Sequence, residues 1–465
     1  MKLLRIFTTV LTLLYLISAL VFQPWRRGGS DRSGVLNWDV YGYSFYLSGL
    51  IHNDLLTLKF LDSIERKYKP CDDAWGYGRF AVPDTDKMVC KYTIGNAYFM
   101  APFYYGAHLY AQNTHHYPPD GYSRPYSIGL SVGWIIWACW GLYLLGAVLI
   151  RYFPAPVVVV VLGLIALATN FYGYTIQTVG MNHIPLFFCA SLCLYAGQAW
   201  ARTGRGLFIC LFALGLSVSV VLRPTEVVLF LLIPLLFILI RKYQRAIWPF
   251  LYQRWLQIVC AGAVGLLVGL PQLWYWYATT GKWLHYSYQG EHFDFANPHI
   301  WQGLFSYRKG LYVYCPVLLL AWLGLIPLYK KNAALCLVLL LYLAVNVYVV
   351  FSWTAWSYGG SLGARAMIQS YAFQAVLLAA AGAVFYRWYQ FMASRFKRIL
   401  LIIPLMAVLS GCIYLQIVQT IQYHKVIIHW DNMTKDSFWL VFGKTTLTDT
   451  ERQQVDELYS RPIVD

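Results

Sequence analysis

Long apolar runs separated by short polar turns dominate this chain. Runs long enough to span a bilayer, ~17–25 residues each, fall near 6–22, 125–150, 155–171, 183–200, 206–222, 226–240, 257–278, 311–329, 333–351, 366–386 and 399–418, eleven in all. The 226–240 run is short, which suits a tilted helix or one that starts inside a cavity. The stretch 92–112 carries His108, Pro102 and several tyrosines, and it reads as a helix lying on the membrane interface. Upstream of it, Tyr41 to Tyr68 has amphipathic helical spacing. Tyr43, Tyr46, Leu47, Leu50, Ile51, Leu55, Leu58, Leu61 and Ile64 alternate with His52, Asn53, Asp54, Lys59, Asp62 and Glu65. The pattern predicts an all-α polytopic membrane protein of about 11 transmembrane helices. Its parts are a first transmembrane helix (1–22), a first extracytoplasmic loop with interfacial helices (23–124), a bundle of about ten helices with an outer loop at 279–310 (125–419), and an extracytoplasmic tail (420–465).

Composition agrees: of 465 residues, 59% are hydrophobic and only 12% charged, unlike a soluble domain. The first run follows Lys2 and Arg5 as a signal peptide would. No small-x-small cleavage site precedes Gln23-Pro24-Trp25-Arg26-Arg27, so the helix is expected to stay uncleaved. The net charge of +16 invites a nucleic-acid reading until its distribution is traced. With the N-terminus in the cytoplasm, the inside segments hold Lys2, Arg5, Arg151, Arg202, Arg205, Arg241, Lys242, Arg245, Arg254, Lys330, Lys331, Arg387, Arg395, Lys397 and Arg398, and no Asp or Glu. All 20 acidic residues and the remaining 21 of 36 Lys and Arg lie outside. This is the positive-inside rule, so the charge reports topology and no nucleic-acid partner is expected. A span at 92–112 would reverse every later loop and put Arg202, Arg205, Lys330 and Lys331 outside. The expected placement is the cytoplasmic (inner) membrane, multi-pass, with the C-terminus periplasmic or extracellular.

The long polar segments are all outer, so any chemistry is expected on that face. Eight of the ten cysteines lie in or beside apolar runs; the others, Cys71 and Cys90, share the first loop. An oxidising exterior predicts that they pair as a disulfide, closing a loop that holds Asp72, Asp73, Asp84 and Asp86. A metal site on the two Cys is disfavoured because no His lies between them. No internal repeat, GxxxxGK[ST], GxGxxG after a strand, CxxC pair or HExxH is present, which argues against a nucleotide-driven pump and a soluble catalytic domain.

The first loop opens on Asn37-Trp38-Asp39-Val40-Tyr41-Gly42-Tyr43. Asp39 reads either as a helix cap or as a working carboxylate at a membrane surface. Arg223, in Leu222-Arg223-Pro224-Thr225 between two apolar runs, needs water, an anion or a carboxylate such as Glu226. Arg365 follows the glycine-rich Gly359-Gly360-Ser361-Leu362-Gly363-Ala364 and is suited to hold phosphate bidentately. Arg308 and Lys309 begin the eighth run, as phosphate ligands or interfacial anchors, and His183 starts the fourth, in a structural or a functional role. The loop 279–310 groups His285, Glu291, His292, Asp294 and His299, as a metal site or a segment that covers substrate. Its Tyr286, Tyr288, Phe293, Phe295 and Trp301 would stack on sugars or lie on lipid.

Six stretches together carry a family likeness: Trp38-Asp39-Val40-Tyr41-Gly42-Tyr43, Lys91-Tyr92-Thr93-Ile94-Gly95, Met181-Asn182-His183, Leu222-Arg223-Pro224-Thr225, Phe305-Ser306-Tyr307-Arg308-Lys309-Gly310 and Tyr358-Gly359-Gly360-Ser361-Leu362-Gly363-Ala364-Arg365. With the topology, they resemble the GT-C superfamily of integral-membrane glycosyltransferases, which includes protein O-mannosyltransferases and the aminoarabinose transferases of lipid A, and most of all its bacterial branch. The resemblance implies an inverting transferase. It would move a sugar from a polyprenyl-phosphate donor to a lipid, glycan or protein acceptor, among membrane lipids as its other partners. Asp39 would act as general base or orient the acceptor hydroxyl. Tyr41, Tyr43, Lys91, His183, Arg223, Glu291, Arg308, Lys309 and Arg365 would bind substrate. Some members place a second acidic residue or a metal ligand after the third span; here Gln177, Asn182 and His183 stand there without a carboxylate. No metal ligand is therefore assigned, and a divalent cation (Mg2+ or Mn2+) stays open as a cofactor. A flippase of lipid-linked saccharides would show repeats, broken helices and intramembrane charges. An O-antigen ligase or polymerase would carry its large loop late in the chain, and a scaffold without chemistry is the remaining alternative.

Overall fold

Helix α1 (Lys2–Phe22) opens the chain and packs against the later bundle, where Tyr15 donates to the Ala166 carbonyl at 2.9 Å. The computed structural model describes residues 1–26, 34–71, 78–244, 246–288 and 290–460; Asp72, Asp73 and Arg245, used in the sequence reading, lie outside the described residues. In the first loop the expected helix over 41–68 is three: α2 (Trp38–Tyr43), α3 (Phe45–Ile51) and α4 (Leu61–Tyr68). Asp54 breaks it. Its carboxylate accepts from the backbone of Thr57 and Leu58 at 3.2 and 3.0 Å, while Asn53 and Leu58 turn to φ 53 and 52. A short side chain that satisfies the backbone locally competes with the helix ladder. Strands β1 (Arg79–Ala81) and β2 (Met88–Cys90) form a small antiparallel hairpin.

Helix α5 (Gly95–Thr114) covers most of the stretch expected on the interface. It runs antiparallel to the first part of α6 (Arg124–Leu149). Trp137 donates to the Phe99 carbonyl at 3.1 Å, and His108 meets the Tyr126 hydroxyl at 2.6 Å. Then follow α7 (Ala155–Leu167), α8 (Phe171–Ile176), α9 (His183–Thr203), α10 (Gly206–Leu222), α11 (Ile233–Gln244), α12 (Ile247–Tyr252) and α13 (Trp255–Thr280). Next come α14 (Ile300–Phe305), α15 (Leu311–Tyr314), α16 (Leu325–Lys331), α17 (Ala333–Phe351), α18 (Tyr371–Phe391), α19 (Arg395–His424), α20 (Lys435–Val441) and α21 (Asp449–Ser460). Turn chemistry ends several of them. Gly204 and Gly281 close α9 and α13 in the left-handed region, and Asn332 caps α17.

The protein is an all-α membrane protein. Among the described residues, eight helical segments are long and apolar enough to cross a bilayer, and Ala155–Leu167 and Gly206–Leu222 are shorter apolar helices. These ten correspond to ten of the eleven expected spans. The other, 311–329, is broken into α15, a 3-10 segment (Pro316–Gly324) and α16. Pro316 lacks an N–H, and Gly324 lies so close to the Leu377 carbonyl of α18 that a Cβ would overlap it. The 226–240 run likewise begins as a 3-10 segment, Pro224–Leu232.

Three distant segments meet at the end of the bundle that carries the first loop, the loop face. Lys87 donates to the Ala278 carbonyl at 2.7 Å, and the Gln272 side chain accepts from Ile94 N at 2.6 Å, which docks the first loop on α13. The segment after α13 is pinned beside α17, where Asp294 N donates to the Ser352 carbonyl at 2.7 Å and Thr354 N to that of His292 at 3.0 Å. The tail reaches the glycine-rich turn, with Ser361 N donating to the Trp430 carbonyl at 3.1 Å. Cys90 is a thiol and not half of the expected Cys71–Cys90 disulfide. It is buried against Tyr275, whose hydroxyl lies 3.1 Å from Sγ, and burial pushes the thiol up to about 12.

Gly95, where α5 begins, abuts the backbone of Val221 and Leu222. Gly95→Ala is expected to force the two backbones apart, destabilising the protein by ~1–3 kcal/mol and lowering the midpoint of thermal unfolding in detergent.

Candidate functional site

Asp39 lies in the first turn of α2, and the N-cap position is held by Asn37 without a side-chain cap bond. The carboxylate is spent on side chains instead of backbone, which removes the helix-cap reading. Tyr92 donates its hydroxyl to Oδ1 at 2.6 Å, and Arg365 Nη2 pairs with Oδ2 at 3.0 Å. The backbone leading into α2 is unusual, because Trp38 sits at φ 47 and its N–H is held by the Pro70 carbonyl at 3.2 Å. A bulky residue adopts that conformation only where its surroundings enforce it. Gly42, one turn on, gives the Tyr92 ring its seat; a Cβ there would overlap the ring. Burial and the neighbouring Asp39 push the Tyr92 and Tyr43 hydroxyls well above the usual phenol range, so Tyr92 remains a donor at any ordinary pH.

Arg365 enters α18 through a 3-10 segment (Arg365–Ser370) and is the more buried member of the pair, 12% exposed against 29% for Asp39. It also donates to the Tyr358 carbonyl, and its Nη1 lies 3.9 Å from Met181 Sδ. Tyr358, Gly359 and Gly363 have φ of 56, 62 and 62, which curls the 358–365 turn back over the guanidinium. Arg223 is held by Glu226, with Nε 2.9 Å from Oε1, and reaches the Ala366 carbonyl at 3.2 Å. Burial works against its charge, but Glu226 outweighs that and holds the guanidinium above its ordinary value. The carboxylate partner allowed for Arg223 by sequence is therefore present. Both arginines lie within electrostatic reach of Tyr43 and of His183, which is 3% exposed.

The other expected residues divide. Lys91 and Glu291 pair at 3.1 Å; Trp353 donates to Glu291 at 3.0 Å, and the Lys91 ammonium stands 5.2 Å above the Tyr288 ring. This bridge joins the first loop to the 281–299 segment beside the Asp39 cluster, since Tyr288 also packs on Tyr92. Tyr41 is turned away, donating to Glu65 at 2.8 Å in a network with Arg79. Arg308 pairs with Asp431 at 3.1 Å, and Lys309 donates to the carbonyls of Ser361 and Trp430. Both are engaged by the tail. Burial, with Arg365 and Arg308 nearby, depresses the Lys309 ammonium to about 7 despite Asp431. Sequence reasoning passed over Tyr92, Tyr358, Trp430 and Asp431. Tyr92 stands in one of the stretches that carried the family likeness, whereas nothing local marks the tail residues.

The cluster suits an anion or a hydroxyl better than a metal. Asp39 gives one oxygen to a guanidinium and the other to a phenol, and its charged neighbours Arg365 and Arg223 are cations, which repel Mg2+ or Mn2+. Among the described residues no three His, Cys, Asp or Glu side chains gather to hold an ion, and this includes the loop from His285 to His299.

Tyr92→Phe is expected to cost about 1 kcal/mol of stability, the net value of one hydrogen bond to a partly exposed carboxylate, read by thermal unfolding. Lys309 gives a pH signature. Its proton is lost near 7 in the folded protein and near 10.4 when unfolded. The unfolded chain therefore binds more protons between those values, and stability should rise with pH across that window by up to about 1.4 kcal/mol per unit. Lys309→Met should lack that slope in unfolding measured from pH 6 to pH 10.

No protein-family model and no curated protein sequence matches the chain. Among solved structures it is similar to the apo form of the Archaeoglobus fulgidus oligosaccharyltransferase, at 12% identity and a TM-score of 0.49, over 96% of this chain and 59% of that one.

Proposed function

We propose that this protein is a membrane glycosyltransferase of the GT-C type. It takes a sugar from a polyprenyl-phosphate donor and passes it, with inversion, to a hydroxyl-bearing lipid, glycan or protein acceptor on the outer face of the cytoplasmic membrane. The observation that carries this reading is the Asp39 cluster. A partly exposed carboxylate at the loop face of a membrane bundle is oriented by Tyr92 and flanked by Arg365, with Arg223 in electrostatic reach of the neighbouring Tyr43. A hydroxyl is a poor nucleophile and gains from a positioned base. In this mechanism Asp39 takes the acceptor proton as the acceptor oxygen bonds to the anomeric carbon. The bond from that carbon to the phosphate oxygen breaks, and its electron pair leaves with the lipid phosphate. Arg365 and Arg223 meet the charge that develops there. The aromatic side chains of the 281–299 segment, Tyr288 and Phe293 among them, are placed to flank a sugar beside Lys91 and Glu291.

A second reading, a flippase for lipid-linked saccharides, draws on the helices broken at Pro224–Leu232, Pro316–Gly324 and Arg365–Ser370 and on the buried Arg223–Glu226 pair. The two separate on one assay. Purified protein in detergent, without a membrane to cross, should transfer labelled sugar from the lipid donor if the first reading holds. Asp39→Asn is expected to slow that transfer by ~10²–10⁴-fold, the usual worth of a general base, with the protein still folded. Wild-type rates in the variant would remove Asp39 from the mechanism.

A further inference from the structure

We propose that the Asp39–Arg365 pair is a latch that the anionic head of the lipid donor opens: the phosphate takes Arg365, and the base is uncovered only once the donor is seated. The inference rests on the lipid-phosphate reading above and adds an order of events to it.

Three observations carry it. First, the two partners are unequally held. Arg365 is anchored by the Tyr358 carbonyl and packed against Met181, whereas Asp39 faces the more open side. The pair is therefore reached from the carboxylate side, and a competitor arriving there displaces Asp39 rather than pulling Arg365 away. Second, Arg365 is under-used. A guanidinium has five N–H donors in a fixed fork. Here Nη2 serves two acceptors, Nη1 has only a long contact to sulfur, and Nε is buried without a partner. Arg223 Nη1 also lacks a partner. Both ring nitrogens of His183 are buried and unpartnered beside the two arginines, and a neutral imidazole carries one N–H. Glu226 Oε2 is also unpartnered; its other oxygen already holds Arg223, and no hydrogen bond joins Glu226 to Arg365. The site around Arg365 is thus short of acceptors. A phosphate brings several oxygens and binds the guanidinium edge bidentately, which one carboxylate oxygen at Nη2 does not. Third, Asp39 has a second tether. Tyr92 holds Oδ1 at 2.6 Å and its ring rests on Gly42, so when the phosphate takes Arg365 the carboxylate turns off the guanidinium about that tether, freeing Oδ2 without leaving the site.

The consequence is a donor-first order: the acceptor hydroxyl meets a base still masked by a guanidinium unless the phosphate is bound. The test is a double-mutant cycle on binding of a polyprenyl monophosphate to the full-length protein in phosphatidylcholine nanodiscs. Asp39→Asn should bind the lipid about tenfold tighter than wild type, having lost the anion that competes for Arg365. Arg365→Gln should bind about tenfold weaker or worse, and adding Asp39→Asn to it should restore nothing. An equal gain from Asp39→Asn in both backgrounds would mean simple charge repulsion and overturn the latch. Should Arg365→Gln not fold, Arg365→Met, which keeps much of the volume and removes the charge, takes its place in the same cycle. Absence of lipid-phosphate binding by every variant, wild type included, would instead remove the donor reading and the latch with it.

Discussion

One ion pair connects residues 326 apart in the chain and ties the first loop to the bundle. Asp39 comes from the first loop and Arg365 from the 3-10 segment that leads into α18. Neither is a strong stabiliser, because taking two charges out of water offsets much of their attraction. What the pair does is specify position. A guanidinium held by a backbone carbonyl admits a carboxylate in few places, so the first loop must close on the bundle in one register. The docking of Lys87 on α13, the seat of Tyr92 on Gly42 and the bridge from Lys91 to Glu291 are all arranged around that closure.

The same constraint explains why so many cations are handled individually at this end. Arg223 takes Glu226, Arg308 takes Asp431, and Lys309 takes two carbonyls across the glycine-rich turn and the tail. A buried charge without a partner is costly, and the partners here come from the 3-10 segment after Arg223, the glycine-rich turn and the tail. The tail is therefore part of the site's support: Trp430 holds the turn that presents Arg365, and Asp431 holds Arg308. The 3-10 segments at Pro224 and Arg365 lie where the chain enters the bundle on this side, and the one at Pro316 breaks the 311–329 run within it. They trade regular helix for close approach of backbone to side chains.

Much of the architecture was legible in the order of residues. Among the described residues, eight of the eleven apolar runs are helices long enough to cross a bilayer and two are shorter apolar helices; the break at 311–329 was missed because its cause, Gly324 against α18, is a contact and not a local property. Periodicity ran a helix through 41–68 because it does not register that Asp54 satisfies its own backbone. The Cys71–Cys90 pairing followed from a shared compartment alone; in the structure Cys90 is a thiol buried against Tyr275.

By itself the sequence determined which segments are long and apolar enough to enter a membrane, that Asp39 opens the first polar loop, and that Arg223 and Arg365 stand at the ends of apolar runs. Hydropathy and charge act over the ~20 residues that span a bilayer, so they can be read from neighbours in the chain. Which carboxylate meets which guanidinium was left to the tertiary structure. That Asp39 faces Arg365 while Glu226 holds Arg223, that Tyr92 orients the carboxylate while Tyr41 turns to Glu65, and that the tail braces Lys309 depend on closing loops of tens to hundreds of residues. Only the packed bundle decides those closures, because a polar side chain takes its partner from whatever the fold brings within hydrogen-bonding distance.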